Sequence, residues 1–370
     1  MLLTATLTCV VLAASLILGL AGGNPVAVAH LAFAAGVLPL IFGAIAHFVP
    51  VLTRSGEPAS QVAAIPPLAQ VFGLAIAAAL EGLLPRWILH PAALADLVLA
   101  LGLLAWVIGR ARRCLGTPHP GWRWYAGALG CCAAALAAVP LIAAGVAAAP
   151  LRLWHLHLNV LGLVGLAALG TLPVLLPTAL GKGDPESAAW LRRRLIPVLA
   201  GVLAVAAGAA FAWPLAAVGA ALLFAVALSL LGHWLGRFGL AALVSGGAAP
   251  SLVAAVLGLL GVLGAGAAHG MGAIAARPSI VHWAAGFLLP LITGALTQLL
   301  PVWRYPGPGS PARKRFGQAL GRCGKARAIC FLTAGITLAA GWSATGAILA
   351  ATGLGLFLLA AIAPAVPGSR

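Results

Sequence analysis

The stretch GVLPLIFGAIAHFVPVL, residues 36–52, returns as GFLLPLITGALTQLLPVW at 286–303 and, in looser form, as NVLGLVGLAALGTLPVL at 159–175. Setting Pro50 against Pro301, 251 residues on, also pairs Pro39 with Pro290, Leu40 with Leu291, Ile41 with Ile292, Gly43 with Gly294 and Val51 with Val302. The middle copy lies 123 residues after the first and pairs Pro50 with Pro173 and Val51 with Val174. Each copy has histidine near its beginning: His30, then His155 and His157, then His282. Three copies at a spacing of about 125 residues are the mark of an internally repeated architecture.

The solvent follows from composition. Hydrophobic residues make up 63% of the 370 and charged residues 7%, where a soluble domain carries about a quarter charged. A membrane span takes about 20 apolar residues. That ruler marks twelve spans, at 2–22, 28–52, 64–84, 91–110, 122–148, 153–180, 191–211, 213–236, 248–270, 279–304, 324–341 and 344–366. The expected fold is an all-α polytopic membrane protein: one transmembrane domain, 1–370, of three four-helix repeats near 1–115, 116–240 and 241–370. The quoted copies are then the second, sixth and tenth spans. The first 22 residues lack a charged beginning and read as the first span of this set, not as a signal peptide.

The net charge of +16 would suggest nucleic acid in a soluble chain. With the N-terminus inside, however, 18 of the 21 Lys and Arg fall on inner segments and only Arg86, Arg152 and Arg277 on outer ones. This is the positive-inside asymmetry, so the basic balance reports topology and excludes nucleic acid as a partner. It predicts both termini in the cytoplasm and the bilayer itself as partner, in a bacterial inner membrane. The basic inner loop 304–323 reads as a solvated anchor beside anionic lipid. The six cysteines form no CxxC or CxxCH, so neither a thiolate zinc site nor covalent c-type haem is indicated.

On this topology His30, His155, His157 and His282, with His90 and His269, share the outer side. His47, His119 and His233 fall inward. Imidazoles at similar depth on facing helices are what a buried haem or copper needs. His155 and His157 point about 200° apart around a helix, so one cavity can receive only one of them. Arg152, His155 and Asn159 lie near one face, and Asn159 is placed to orient an imidazole or a ligand. Arg152 and Arg277 precede two of the histidine ends, where a guanidinium suits a carboxylate such as a haem propionate. Of the five acidic residues, Glu57, Asp184 and Glu186 belong to inner loops. Glu81 and Asp96 fall within spans and are candidates for a proton relay or for supporting a ligand.

The segment WHLHLNVLGLVGLAALGTLPVLLP, 154–177, resembles the HxHLN-type helix of heme-copper oxidase subunit I-like membrane proteins and of the NnrS group. The resemblance implies twelve helices in a pseudo-threefold arrangement, with ligands on the second, sixth and tenth. It carries b-type haem ligation onto His30 and His282, and a copper-side histidine onto His155 or His157. The chain departs from the oxidase pattern: the tenth span has only His282, residues 191–211 contain no histidine, and the only tyrosines are Tyr125 and Tyr305. The implied protein is therefore a haem-binding or metal-binding one without a complete oxygen-reducing centre, not an oxidase. It would serve electron transfer, nitric-oxide response or metalloenzyme assembly, with respiratory-chain or denitrification proteins as partners. The alternative is a transporter or channel for a metal ion or small solute.

Overall fold

A computed structural model describes residues 2–307 and 309–362. Among them there are helices and connecting turns but no strand. Eleven helices are long and apolar enough to cross a membrane: α1 Leu2–Leu20, α2 Pro25–Leu52, α3 Ser60–Glu81, α4 Arg86–Arg112, α5 Gly121–Ala143, α6 Ala148–Ala179, α7 Ser187–Phe211, α8 Trp213–Phe238, α9 Ala249–Gly270, α10 Ala276–Arg304, and, after two further helices, Ser343–Ile362. The two further helices are α11, Pro311–Gly321, and α12, Gly324–Ala339; Ser343–Ile362 is α13. The protein is thus a multi-pass helical membrane protein by length and composition.

The span expected at 324–341 emerges shorter. Helix α12 has 16 residues, about 24 Å at 1.5 Å per residue, against the ~30 Å of a bilayer's hydrocarbon core. Its end is built in. Trp342 N–H donates to the Thr337 carbonyl and Gly341 N–H to that of Leu338, with Gly341 at φ 88°. This is the paired closure that a left-handed glycine permits at a helix C-terminus.

The chain divides into two compact units. One comprises residues 1–170 with 188–216, the other 171–187 with 217–370.

In the first unit, α2 departs from α-geometry at Phe33–Val37, a π-helical stretch. Such widening detaches carbonyls from their usual donors, and neighbours supply replacements. Gln70 Nε2 of α3 donates to the Ala35 carbonyl at 3.0 Å, and Thr8 Oγ1 of α1 to that of Gly36 at 3.0 Å. Gly73 of α3 is required at this crossing, because a Cβ there would stand 2.3 Å from the Ala34 carbonyl oxygen. Helix α6 is π-helical at Leu158–Gly165. It packs on α5, where a Cβ on Gly162 would meet the Cys131 Cβ at 2.6 Å.

In the second unit α10 repeats the device at Trp283–Leu288. All three related segments therefore contain a π-helical stretch, and the stretches carry an insertion. Gly36 stands three residues before Pro39, whereas Gly286 stands four before Pro290. The π stretch is five residues long in α2 and six in α10. A wide turn absorbs one extra residue without breaking the helix. Helices α12 and α13 pack as a hairpin through their small residues: a Cβ on Gly353 would reach 2.7 Å from Phe331 Cε1, and one on Gly346 2.4 Å from Leu338 Cγ.

Candidate functional site

The wide turns open within three residues of a histidine: Phe33 three residues past His30, Leu158 immediately past His157, Trp283 immediately past His282. The three copies nevertheless hold their imidazoles differently. His30 stands six residues ahead of Gly36, His282 four ahead of Gly286. Two residues are about 200° of helix rotation, so each ring faces a different side relative to its own glycine.

His282 is buried, at 8% exposure. Its ring lies in a cradle of three glycines. A Cβ on Gly261 of α9 would stand 2.3 Å from Nε2, one on Gly335 of α12 3.0 Å from Nδ1, and one on Gly286 3.1 Å from Nε2. Nε2 has no hydrogen-bond partner among the described residues. A buried ring nitrogen left unpaired carries the desolvation penalty of about 1–3 kcal/mol. It is the one histidine nitrogen in the protein that is both fully enclosed and orphaned among the described residues.

His30 is half-buried in the first unit. Its Nδ1 lies 2.8 Å from the Val26 carbonyl, one turn back, which fixes the ring and leaves Nε2 for a ligand or a proton. His157 makes the same one-turn contact to the Leu153 carbonyl at 2.8 Å. His155 differs from both: Nδ1 meets the Ala135 carbonyl of α5 at 2.9 Å and Nε2 lies 3.3 Å from Asn159 Nδ2. With Nδ1–H donating to a carbonyl, Nε2 is the acceptor for the Asn159 amide. Asn159 also donates to the His155 backbone carbonyl at 3.0 Å. It therefore orients His155 by closing off the nitrogen that a metal would use. A metal on His155 would have to displace that amide.

The first unit also buries a carboxyl. Asp96 of α4 is 1% exposed and neither of its oxygens has a hydrogen-bond partner among the described residues. It lies within electrostatic range of Cys132 on α5, as His155 does of His30. Glu81 ends α3, with one carboxylate oxygen buried and unpaired. Arg152 and Arg277 are exposed, as expected of interfacial arginines. His90 is exposed too, and His269 ties down the turn after α9 through Nδ1 to the Ile274 carbonyl at 3.0 Å. Among the described residues no three His, Cys, Asp or Glu side chains converge as a metal ligand set.

Two further histidines, His233 and His119, have partners that spacing does not reveal. His233 Nε2 of α8 meets Asp184 Oδ2 at 2.8 Å, and its Nδ1 lies 3.9 Å from Glu186 Oε2. Asp184, whose side chain is 1% exposed, also accepts from the Glu186 N–H through Oδ1. The one sequence signal was that two of only five acids stand together in one short loop. His119, in the loop before α5, donates its backbone N–H to the Leu52 carbonyl at 2.9 Å, and its Nδ1 accepts from Gly121 N–H at 3.3 Å. Burial, followed by the positive charge of Arg192, holds its imidazole below the usual histidine range.

No protein-family model, no curated protein and no solved structure matches this chain.

Proposed function

We propose that the chain is a haem-binding membrane protein of pseudo-threefold, heme-copper oxidase-like architecture, with an imidazole donor on the second and tenth helices. The observation that carries this reading is His282: a buried Nε2 with no partner among the described residues, at the threshold of a π-helical turn. π-Turns inside α-helices concentrate at functional positions. The fit to haem rests on donor chemistry, since His282 and His30 each keep one ring nitrogen not tied to the backbone. Bound haem would supply one-electron transfer. The chain's part is to hold each ring in one orientation and to exclude water, through the glycine cradle at His282 and the Val26 carbonyl at His30. Copper, on His155 or His157, is the weaker half of the reading because Asn159 already occupies His155. Placement in a bacterial inner membrane with both termini cytoplasmic, and respiratory or denitrification partners, belong to the same proposal; the charge asymmetry supports the orientation.

The test is the visible absorption spectrum of the purified protein, before and after adding haem b. Sharp reduced bands that disappear in His282→Ala and His30→Ala, but persist in His119→Ala, support the reading. A folded protein that acquires no haem spectrum overturns it. A second reading, a cation or proton transporter, is favoured by Asp96, because an ionisable group inside the membrane marks ion pathways. It predicts that Asp96→Asn abolishes transport into vesicles and leaves any haem spectrum intact.

A further inference from the structure

The second unit contains a cleft of about 570 Å³ where α11, the end of α10 and the loop before α9 meet. Arg313, Lys314 and Arg322 line it together with Thr297, Gln298 and Gln318, and no carboxylate does. Beneath it stands Arg327 of α12, 0% exposed. Arg327 Nη2 donates to Thr297 Oγ1 at 2.9 Å, Nη1 donates to the Leu320 carbonyl at 2.7 Å, and the guanidinium lies 5.3 Å from the centre of the Phe357 ring. Its Nε has no partner among the described residues. Thr297 therefore joins the buried cation to the cleft wall.

The acids of this unit cannot balance these charges. Asp184 and Glu186 are its only two, and both face His233. Three cations round a cleft, with a fourth buried beneath Thr297 and no counter-ion among the described residues, form a positive site built before any ligand arrives. A buried charge without a partner is costly, and the polar donors here are of the type that recognises phosphate. The framework is rigid. A Cβ on Gly324 would stand 2.1 Å from the Gly247 carbonyl oxygen, and one on Gly321 3.0 Å from Gly247 Cα, so the α11–α12 corner is packed backbone to backbone against the loop before α9. Helix α11 buries Phe316 and Leu320 and leaves Lys314 and Arg315 exposed, as is Arg322 just beyond its end.

We propose that this cleft binds a phosphate group, with Arg313, Lys314 and Arg322 as its charged contacts and Thr297, held by Arg327, as a positioning residue. Two sources share that chemistry: the headgroup of an anionic phospholipid, and free phosphate or a small phosphate ester. The volume falls within the range of small-molecule sites, ~300–1,000 Å³, and Pro301, Val302 and Ala248 give it an apolar side suited to the glycerol end of a lipid. The site is independent of haem.

The experiment uses the full chain in nanodiscs of phosphatidylcholine with graded phosphatidylglycerol, reading retained lipid by native mass spectrometry, and thermal stability against inorganic phosphate. The triple variant Arg313→Gln/Lys314→Gln/Arg322→Gln should lose at least about tenfold in phosphatidylglycerol retention, or lose a phosphate-dependent rise in Tm. The first result assigns a lipid headgroup and the second a free phosphate. Arg112→Gln/Arg113→Gln, basic residues of the other unit, should change neither. If the triple variant does not fold, the exposed Lys314→Gln alone should still lower retention or the phosphate effect. Equal retention in wild type and variants, with no phosphate effect on either, overturns the proposal.

Discussion

Placing a methyl group on Gly258 tests the packing on which the His282 site depends. A Cβ there would lie 1.9 Å from the Gly286 carbonyl oxygen, 2.4 Å from its carbon and 2.9 Å from Phe287 Cα. Ordinary contact begins at 3.4 Å, so the shortfall is 1.5 Å, and every obstructing atom is backbone. No rotamer change relieves it; α9 must retreat from the π-helical stretch of α10. Overpacking of this kind costs about 1–3 kcal/mol and occasionally more. Gly261→Ala, one turn further along α9, is the informative companion. Its Cβ would lie 2.3 Å from His282 Nε2, but a side chain can swing away. The expected result is a smaller stability loss and a displaced imidazole, hence a lost or altered haem spectrum. Gly264→Ala has nothing within 4 Å, and should be neutral or stabilising by about 0.5–1 kcal/mol from helix propensity. Thermal unfolding in one detergent, read by circular dichroism, ranks the three. On the scale of roughly 2–4 °C per kcal/mol, Gly258→Ala should melt several degrees below Gly264→Ala. Coincident melting curves for these two would refute backbone-to-backbone packing of α9 on α10, and with it the enclosed position of His282.

Asp96→Asn should leave Tm unchanged or raised, because the carboxyl it replaces is buried with neither oxygen paired; a clear drop in Tm would show that the carboxyl has a partner. Arg327→Met should cost about 1–3 kcal/mol by orphaning the Leu320 carbonyl, and Thr297→Val about 1 kcal/mol; their double variant should lose less than the sum, because they share a bond. His119 gives a pH signature. Its folded-state pKa is depressed, so the unfolded chain takes up the proton first, and stability present above pH about 6.5 should fall as pH drops below it. Protonation would also take the Nδ1 lone pair from Gly121 N–H. The melting temperature of His119→Asn should depend less on pH between 5 and 7.5, and an unchanged slope would discount the role of this residue.

Much of this protein is determined by one-dimensional information. Apolar runs long enough to cross a bilayer are properties of composition and spacing. They marked the membrane fold and eleven of its spans. Helix α12 is shorter than its apolar run because its limit is a capping geometry at Gly341 together with a charged first turn, not a change in hydropathy. The longer π-helical stretch of α10 shows in the sequence only as one extra residue between Gly286 and Pro290, and the stretches of α2 and α6 show no such mark. The histidines show where spacing ceases to inform. All four beside the wide turns look alike in the chain, yet His155 is closed by Asn159 and Ala135 while His282 is enclosed by glycines from α9 and α12. His233 meets Asp184 across 49 positions. Hydropathy and period report what each helix does with its solvent; which ring nitrogen is satisfied depends on the backbone of another helix, and only the folded chain brings that backbone near.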